Sequence, residues 1–434
     1  MENKQRVSNL LLLSLIILEN LFLYIFFRHG LLDQGPNAIG LFLSSLSFGI
    51  LLIFKFNNAV AIECNAIQPI KNILSYVMVL AALTIMVCMG FQFNSFFAIH
   101  HLDYHYSDII PSIQIACHRL LNGEFPYKVI TDFGYPQQPD YFPMHWMPYS
   151  IAELLKIDPR WVTYGAWCSV ATCLCFRSTK IPSKALRAIT PLLVVASFYF
   201  LQDNNIGLFE ITVEVLIAAY YMFVVITLNK QSGILQGVAI SFCLLSRFSL
   251  VLWLPLFCFI LFTTNNRKQL YTSIVTGAAM VLLLYVIPFL SKDWSIFFRG
   301  FQYYDTATLG EWEHLDAKGQ PIHLFRGTGI AYFFYTHFTN LDVMGKIKLL
   351  QKTQLFVSLL ATAILGAWFW RRRNTINTRV FLMASFKIYM AIFLFLIQLP
   401  YEYLMCVGNF ITIAVFCEQA RYSLTSRKVI PSEG

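Results

Sequence analysis

Apolar residues along this chain are gathered into blocks separated by shorter polar stretches. The blocks fall at roughly 8–27, 37–55, 73–93, 161–176, 186–202, 207–228, 233–262, 271–290, 353–370, 380–398 and 402–418. About 20 mainly apolar residues span a bilayer core as a helix, so each block predicts a membrane crossing. The block at 233–262 is too long for one crossing and is interrupted by Arg247; it predicts two half-length passes or a bent pair. The sum is an all-α polytopic membrane protein with roughly 11–12 transmembrane helices. The first block predicts a retained helix, because it lacks a small-residue cleavage site and its apolar core exceeds the roughly 7–15 residues of a signal peptide.

Two polar stretches are much longer than connections, at about 94–160 and 291–352. Both are rich in Trp, Tyr and Phe, and ordered loops of that length are rarely mere links. In the first, Ile109, Ile113, Ala116 and Leu120 recur at helical spacing beside Gln114, Arg119 and Asn122, which predicts an amphipathic interfacial helix over 109–121. Asn122-Gly123 ends it, since glycine accepts the left-handed cap. Pro126, Pro136, Pro139, Pro143 and Pro148 predict irregular chain beyond.

Composition agrees with the pattern. The chain is 57% hydrophobic and 13% charged, against about 25% charged for a soluble domain, and its mean hydropathy is +0.59. The net charge of +9 reads as an orientation signal, with no call for nucleic-acid binding. Basic short loops mark the cytoplasmic side of a membrane. With Lys4 and Arg6 inside, so are Lys55, Lys71, Arg177, Lys180, Lys184, Arg187, Lys230, Arg267, Lys268, Arg371, Arg372, Arg373, Arg379, Arg421, Arg427 and Lys428, provided 233–262 crosses twice. Both termini are then cytoplasmic, and both long loops are extracytoplasmic. The organisation expected is an N-terminal hairpin (1–72), a catalytic transmembrane core (73–418) and a cytoplasmic tail (419–434). Most of the ten cysteines lie in apolar blocks and read as small hydrophobic filler.

Candidate chemistry concentrates on the outer face. Asp103 and Asp108 open the first loop, where a carboxylate suits general-base work toward an acceptor hydroxyl. Asp108 equally suits the N-cap of the following helix. His100, His101, Asp103 and His105 form a polar cluster whose spacing matches no closed metal motif. Arg247 within an apolar block implies a cavity or a charged partner. Its guanidinium suits a phosphate, or an ion pair with Glu210 or Glu214. Lys387 reads as a structural or snorkelling partner, and Glu19, Asn20 and Glu402 as parts of a polar interior.

The order Asp108, Leu121-Asn122-Gly123, Pro126-Tyr127, Tyr141-Phe142-Pro143 and Pro148 resembles the first outer loop of GT-C integral-membrane glycosyltransferases. It is most similar to glycosyltransferase family 87, the polyprenyl-phosphate-mannose-using DUF2029 group. Gly233 to Gly237 and Ser246-Arg247 through Trp253-Leu254-Pro255 resemble that family's glycine-led helix, basic residue and Pro-ended helix, with Arg247 where the family more often has Lys. The resemblance covers about residues 73–290. It implies Asp108 as catalytic base, Asp103 as a second acid, and Arg247 on the phosphate of a lipid-linked sugar. Tyr127, Tyr141, His105, His314 and Arg326 join the expected substrate contacts. The reaction implied is inverting transfer of a hexose, such as mannose, from polyprenyl phosphate to a lipid or glycan hydroxyl. No cofactor is expected, and a divalent metal is not required if Arg247 balances the leaving phosphate. The expected partners are the lipid-linked donor, a glycolipid or glycan acceptor and membrane lipids. Two other readings stay open. One is a polysaccharide polymerase or O-antigen ligase, the other a transporter or flippase, which would predict inverted repeats with broken helices.

Overall fold

The computed structural model describes residues 2–29, 34–57, 60–63, 73–203, 212–325, 327 and 329–425. Glu2–His29 (α1) and Gln34–Lys55 (α2) pack as a hairpin, followed by Val60–Glu63 (β1) and Ile73–Ile99 (α3). The first long loop carries Ile109–Leu121 (α4), Pro143–Trp146 (α5) and Ser150–Leu155 (α6). Arg160–Ser178 (α7), Lys184–Asp203 (α8), Glu214–Leu228 (α9), Gly233–Leu244 (α10) and Leu254–Thr263 (α11) come next. Arg267–Val281 (α12) continues as a π-helical stretch to Leu290, which contains Pro288. Ser295–Glu313 (α13), Ile322–Phe325 (α14) and Ala331–His337 (α15) precede Val343–Arg372 (α16), Thr378–Phe395 (α17), Met405–Gln419 (α18) and Tyr422–Thr425 (β2).

The chain is a helical membrane protein. Among the described residues six helices are long and apolar enough to cross a bilayer by length and composition, and five shorter apolar helices accompany them. The exposed faces are themselves apolar. On α3, Leu80, Val87 and Phe91 point outward while Val79, Ala82, Met86 and Met89 are buried. Continuous exposed hydrocarbon of this kind suits lipid rather than water.

The hairpin is not a separate layer. α2 lies along α17 and α1 touches α18, while β1 pairs antiparallel with β2. This small ribbon joins the segment after the hairpin to the segment after α18, and no alternation in the sequence predicts it. Helices α10 and α12 approach closely because Gly233 and Gly237 present no side chain. A Cβ on either would meet the backbone carbonyl of Gln269 at 2.5 Å or of Ser273 at 2.6 Å. Small residues four apart let helix backbones touch in this way.

Two expectations about the loops change. Pro143 opens α5 and Pro148 the 3-10 turn Met147–Tyr149, because the fixed φ of proline suits a first helical turn. The segment 291–352 is mostly helical, and its last residues already belong to α16.

The interior is polar where charges pair. Lys387 lies 3.2 Å from Glu19, each side chain 1% exposed, and its Nζ donates to the Gly408 carbonyl at 3.0 Å. Asn20 and Asn409 exchange side-chain hydrogen bonds. Removing one partner of a buried pair strands the other charge, typically at about 3–5 kcal/mol. Lys387→Met is therefore expected to lower the thermal midpoint in detergent sharply. Adding Glu19→Gln should restore most of the loss, and a double variant no better than the single would contradict the pairing.

One end of the bundle is knitted by ions. Glu418 of α18 holds Arg177 of α7, Arg421 and the Asn229 side chain, and Lys55 of α2 donates to Gln419 at 2.6 Å. The basic ends of α2 and α7 and the residues after α9 and α18 thus converge on one side. Nothing is described of the side chain of Glu402, and Arg326 lies outside the described residues.

Candidate active site

Asp108 stands at the N-cap position of α4, which spans the residues that the periodicity predicts and closes at Asn122 and Gly123, the latter at φ +73°. Its side chain does not cap the helix. The carboxylate turns instead to the returning loop, where Oδ2 accepts from the Tyr135 hydroxyl at 2.8 Å and from Gln137 Nε2 at 3.0 Å. That loop is fixed by a reciprocal backbone pair between Ile130 and Gln137. Oδ1 carries no hydrogen bond among the described residues, so one oxygen is anchored and the other is left to act. Burial first, then the hydrogen bond to Asp108 and its charge, hold the Tyr135 phenol well above its usual value, which keeps it a donor.

A second carboxyl, Asp140, lies within the field of Asp108. Its pKa is raised to about 7, chiefly by burial and in the same sense by the Asp108 charge, while its own backbone hydrogen bond and the Arg247 charge act against the rise. A small cavity between α4 and the loop is lined by Ser112, Tyr127, Gln137, Asp140, Tyr141 and Trp146. A raised folded pKa means that the folded state holds the proton more tightly than the unfolded chain. Stability from this group is therefore complete below about pH 4 and is lost as pH rises through about 7. Asp140→Asn is expected to stabilise the protein by on the order of 2 kcal/mol at pH 8, a value reduced for the partial access of water. The gain should vanish near pH 4; a thermal-shift series across pH that shows a constant difference would contradict it.

Arg247 occupies the turn between α10 and α11 in extended conformation, φ −151° and ψ 145°. The Met144 amide donates to the Leu245 carbonyl at 2.8 Å, which ties the first loop to this turn. Arg247 forms an ion pair through Nη2 with Glu214, the first residue of α9. Of the two carboxylates that the sequence offered it, this is the one found; Glu210 lies outside the described residues. Glu214 is 2% exposed, whereas the Arg247 side chain is 31% exposed, so Arg247 lines an opening although it sits deep in the protein. Its Nε and the second Glu214 oxygen have no hydrogen-bond partner. The 15 residues of α9 measure about 22 Å, less than the roughly 30 Å of bilayer hydrocarbon.

Beside this pair, His145 of α5 is 3% exposed and stacks on Tyr141, ring centroids 4.1 Å apart and planes 1° from parallel. Burial and then the Arg247 charge hold its imidazole well below the usual range, so it is neutral. A hydrogen bond with the Ser246 backbone acts in the opposite sense. From the second loop, α13 contributes Tyr303, which feels Asp108 and Asp140, and Tyr304, near Arg247 and Asp140. Tyr401 donates to Glu311 at 3.2 Å, and Glu311 faces His323 at 3.4 Å. Phe248, next to Arg247, begins an aromatic wall. It packs edge-on to Phe142 at 4.5 Å and stacks on Phe301 at 5.1 Å.

Asp140 thus lies within the fields of both Asp108 and Arg247, and it lines the small cavity together with Tyr141. Asp103 and His105 pair with each other on an exposed turn, Asp103 Oδ1 accepting from the His105 backbone N–H at 2.9 Å and meeting the ring at 2.7 Å. These contacts, the backbone bond first, hold the Asp103 carboxyl below its usual value. Tyr127 is 4% exposed, accepts from Trp146 and donates to the Tyr141 carbonyl at 3.1 Å, which places it inside the wall of that cavity. His314 is exposed at the end of α13. Among the described residues no group of three or more His, Cys, Asp or Glu side chains gathers around a common point. Asp140, His145, Tyr135 and Gln137 escape the sequence reading. Asp140 directly precedes Tyr141-Phe142-Pro143, and no spacing to another acid marks it out.

Comparison with protein-family models, with curated proteins and with solved structures found no match for this chain.

Proposed function

We propose that the chain is an integral-membrane glycosyltransferase of GT-C type, similar to family 87, that moves a hexose such as mannose from polyprenyl phosphate to a lipid or glycan hydroxyl. The observation that carries this reading is a half-anchored carboxylate, Asp108, and a partly open guanidinium, Arg247, whose charges both reach Asp140. Asp108 Oδ1 takes the proton from the acceptor hydroxyl as its oxygen attacks the anomeric carbon. The bond from that carbon to the phosphate oxygen breaks, the configuration inverts, and Arg247 balances the charge on the departing lipid phosphate. The aromatic wall from Phe248 to Phe301 suits a polyprenyl chain leaving the site toward lipid.

The ionic knot around Glu418 lies at the basic ends of the helices, and the Arg247–Glu214 pair at the other end of α9. Basic loops face the cytoplasm, which supports cytoplasmic termini, an extracytoplasmic site and about 11–12 crossings once the half-length helices are counted. The test is donor class. Purified protein is offered a radiolabelled polyprenyl-phosphate hexose or the corresponding nucleotide sugar, each with a membrane lipid extract as acceptor. Label should move from the lipid-linked donor alone; transfer from the nucleotide sugar alone would sink the proposal.

A further inference from the structure

Gln137 has one end of its side-chain amide in use and the other idle. Nε2 donates to Asp108 at 3.0 Å, while Oε1 is buried and has no hydrogen-bond partner among the described residues. The residue is 5% exposed, and its reciprocal backbone pair with Ile130 fixes where it stands. Together with Asp140 it lines the small cavity beside α4. A buried acceptor left unpaired is costly, and native proteins keep few of them without a ligand or water to fill the gap. The hydroxyls of the wall do not fill it: Tyr127 already donates to the Tyr141 carbonyl, and Ser112 to the Ile109 carbonyl. Ile113, Ala116 and Ile130 make the neighbouring wall apolar. The cavity has about the room of a single water, so it excludes a sugar ring and admits one hydroxyl.

We propose that this cavity is a hydroxyl pocket: it takes one hydroxyl of a sugar substrate, which donates to Gln137 Oε1 and accepts from the Asp140 carboxyl. The inference rests on the proposed transfer reaction and deepens it by naming what the sugar subsite reads. The chemistry of the wall selects the group. Asp140, with its pKa raised to about 7, holds its proton in mildly acidic solution and offers an O–H. A group that satisfies both partners must donate and accept at once, as a hydroxyl does. An ammonium cannot accept, and a carboxylate or phosphate cannot donate. With the pocket occupied, both ends of the Gln137 amide are engaged, so the group that holds Asp108 Oδ2 is itself held. Substrate binding and the orientation of the base are linked in this way.

The experiment measures binding to the full-length protein in mildly acidic detergent solution by saturation-transfer NMR. The probes are the methyl glycosides of mannose, glucose and galactose, with each monodeoxy analogue of the tightest binder. One analogue should bind at least about tenfold more weakly than its parent, because it leaves Gln137 Oε1 unpaired. Ala116→Val fills the cavity from the α4 side; it should lower the parent to the level of that analogue and leave the analogue unchanged. Equal binding across the wild-type series, or no binding of any glycoside, would overturn the pocket, and this arm needs no variant to fold. An Ala116→Val protein that still discriminates would overturn it too. A saturating polyprenyl-phosphate hexose separates the two sources of the hydroxyl. Displacement of the glycoside assigns the pocket to the donor sugar, and retention assigns it to the acceptor. Turnover enters none of these readings, so the transfer reaction and the pocket fail separately.

Discussion

Asp108→Asn is expected to lower the transfer rate by about a thousandfold while leaving donor affinity and the thermal midpoint close to wild type. Asparagine matches aspartate in shape and still offers an oxygen to Tyr135 and Gln137, which hold Oδ2 in the wild type. It cannot accept a proton, and a positioned base contributes typically 10²–10⁴-fold. Asp108→Glu restores the carboxylate but displaces it by one methylene, so a partial rate is expected. Initial rates beside thermal unfolding separate loss of chemistry from loss of fold. If the Asn variant keeps its rate, the base is elsewhere, and Asp140, within the field of Asp108, is the next carboxyl.

Arg247→Gln is expected to do two things at once. It leaves Glu214, 2% exposed, as a buried charge without its cation, which costs about 3 kcal/mol. It also removes the cation beside the leaving phosphate, for which a loss of at least about a hundredfold in rate is expected. The double variant Glu214→Gln/Arg247→Gln tells the two apart. Neutralising both should bring the thermal midpoint back toward wild type while transfer stays lost. Recovery of transfer in the double variant would make Arg247 a structural partner of Glu214 and nothing more.

The apolar blocks were legible because lipid imposes length and composition on every crossing helix. α2, α3, α7, α17 and α18 fall on their blocks, and the break at Arg247 appears as two half-length helices, α10 and α11. α4 was legible from 3.6-residue periodicity, ending at the glycine that the pattern demands. Pairing was not legible, because partners far apart in sequence meet only through packing. Lys387 with Glu19 and Arg247 with Glu214 are of this kind. The same holds for Asp108: its sequence position suggested a helix cap, and only the returning loop shows its carboxylate turned toward Tyr135 and Gln137. The importance of Asp140 and His145 comes from burial and neighbours, which residue type does not encode.

The most direct test of the account is the configuration of the product. Purified protein is incubated with a polyprenyl-phosphate hexose of known anomeric configuration and a membrane lipid acceptor, and the new linkage is determined by NMR. The expected product is a glycosylated acceptor with the opposite anomeric configuration, the outcome of one displacement assisted by Asp108. A product of retained configuration, or no product from any lipid-linked hexose, would contradict it.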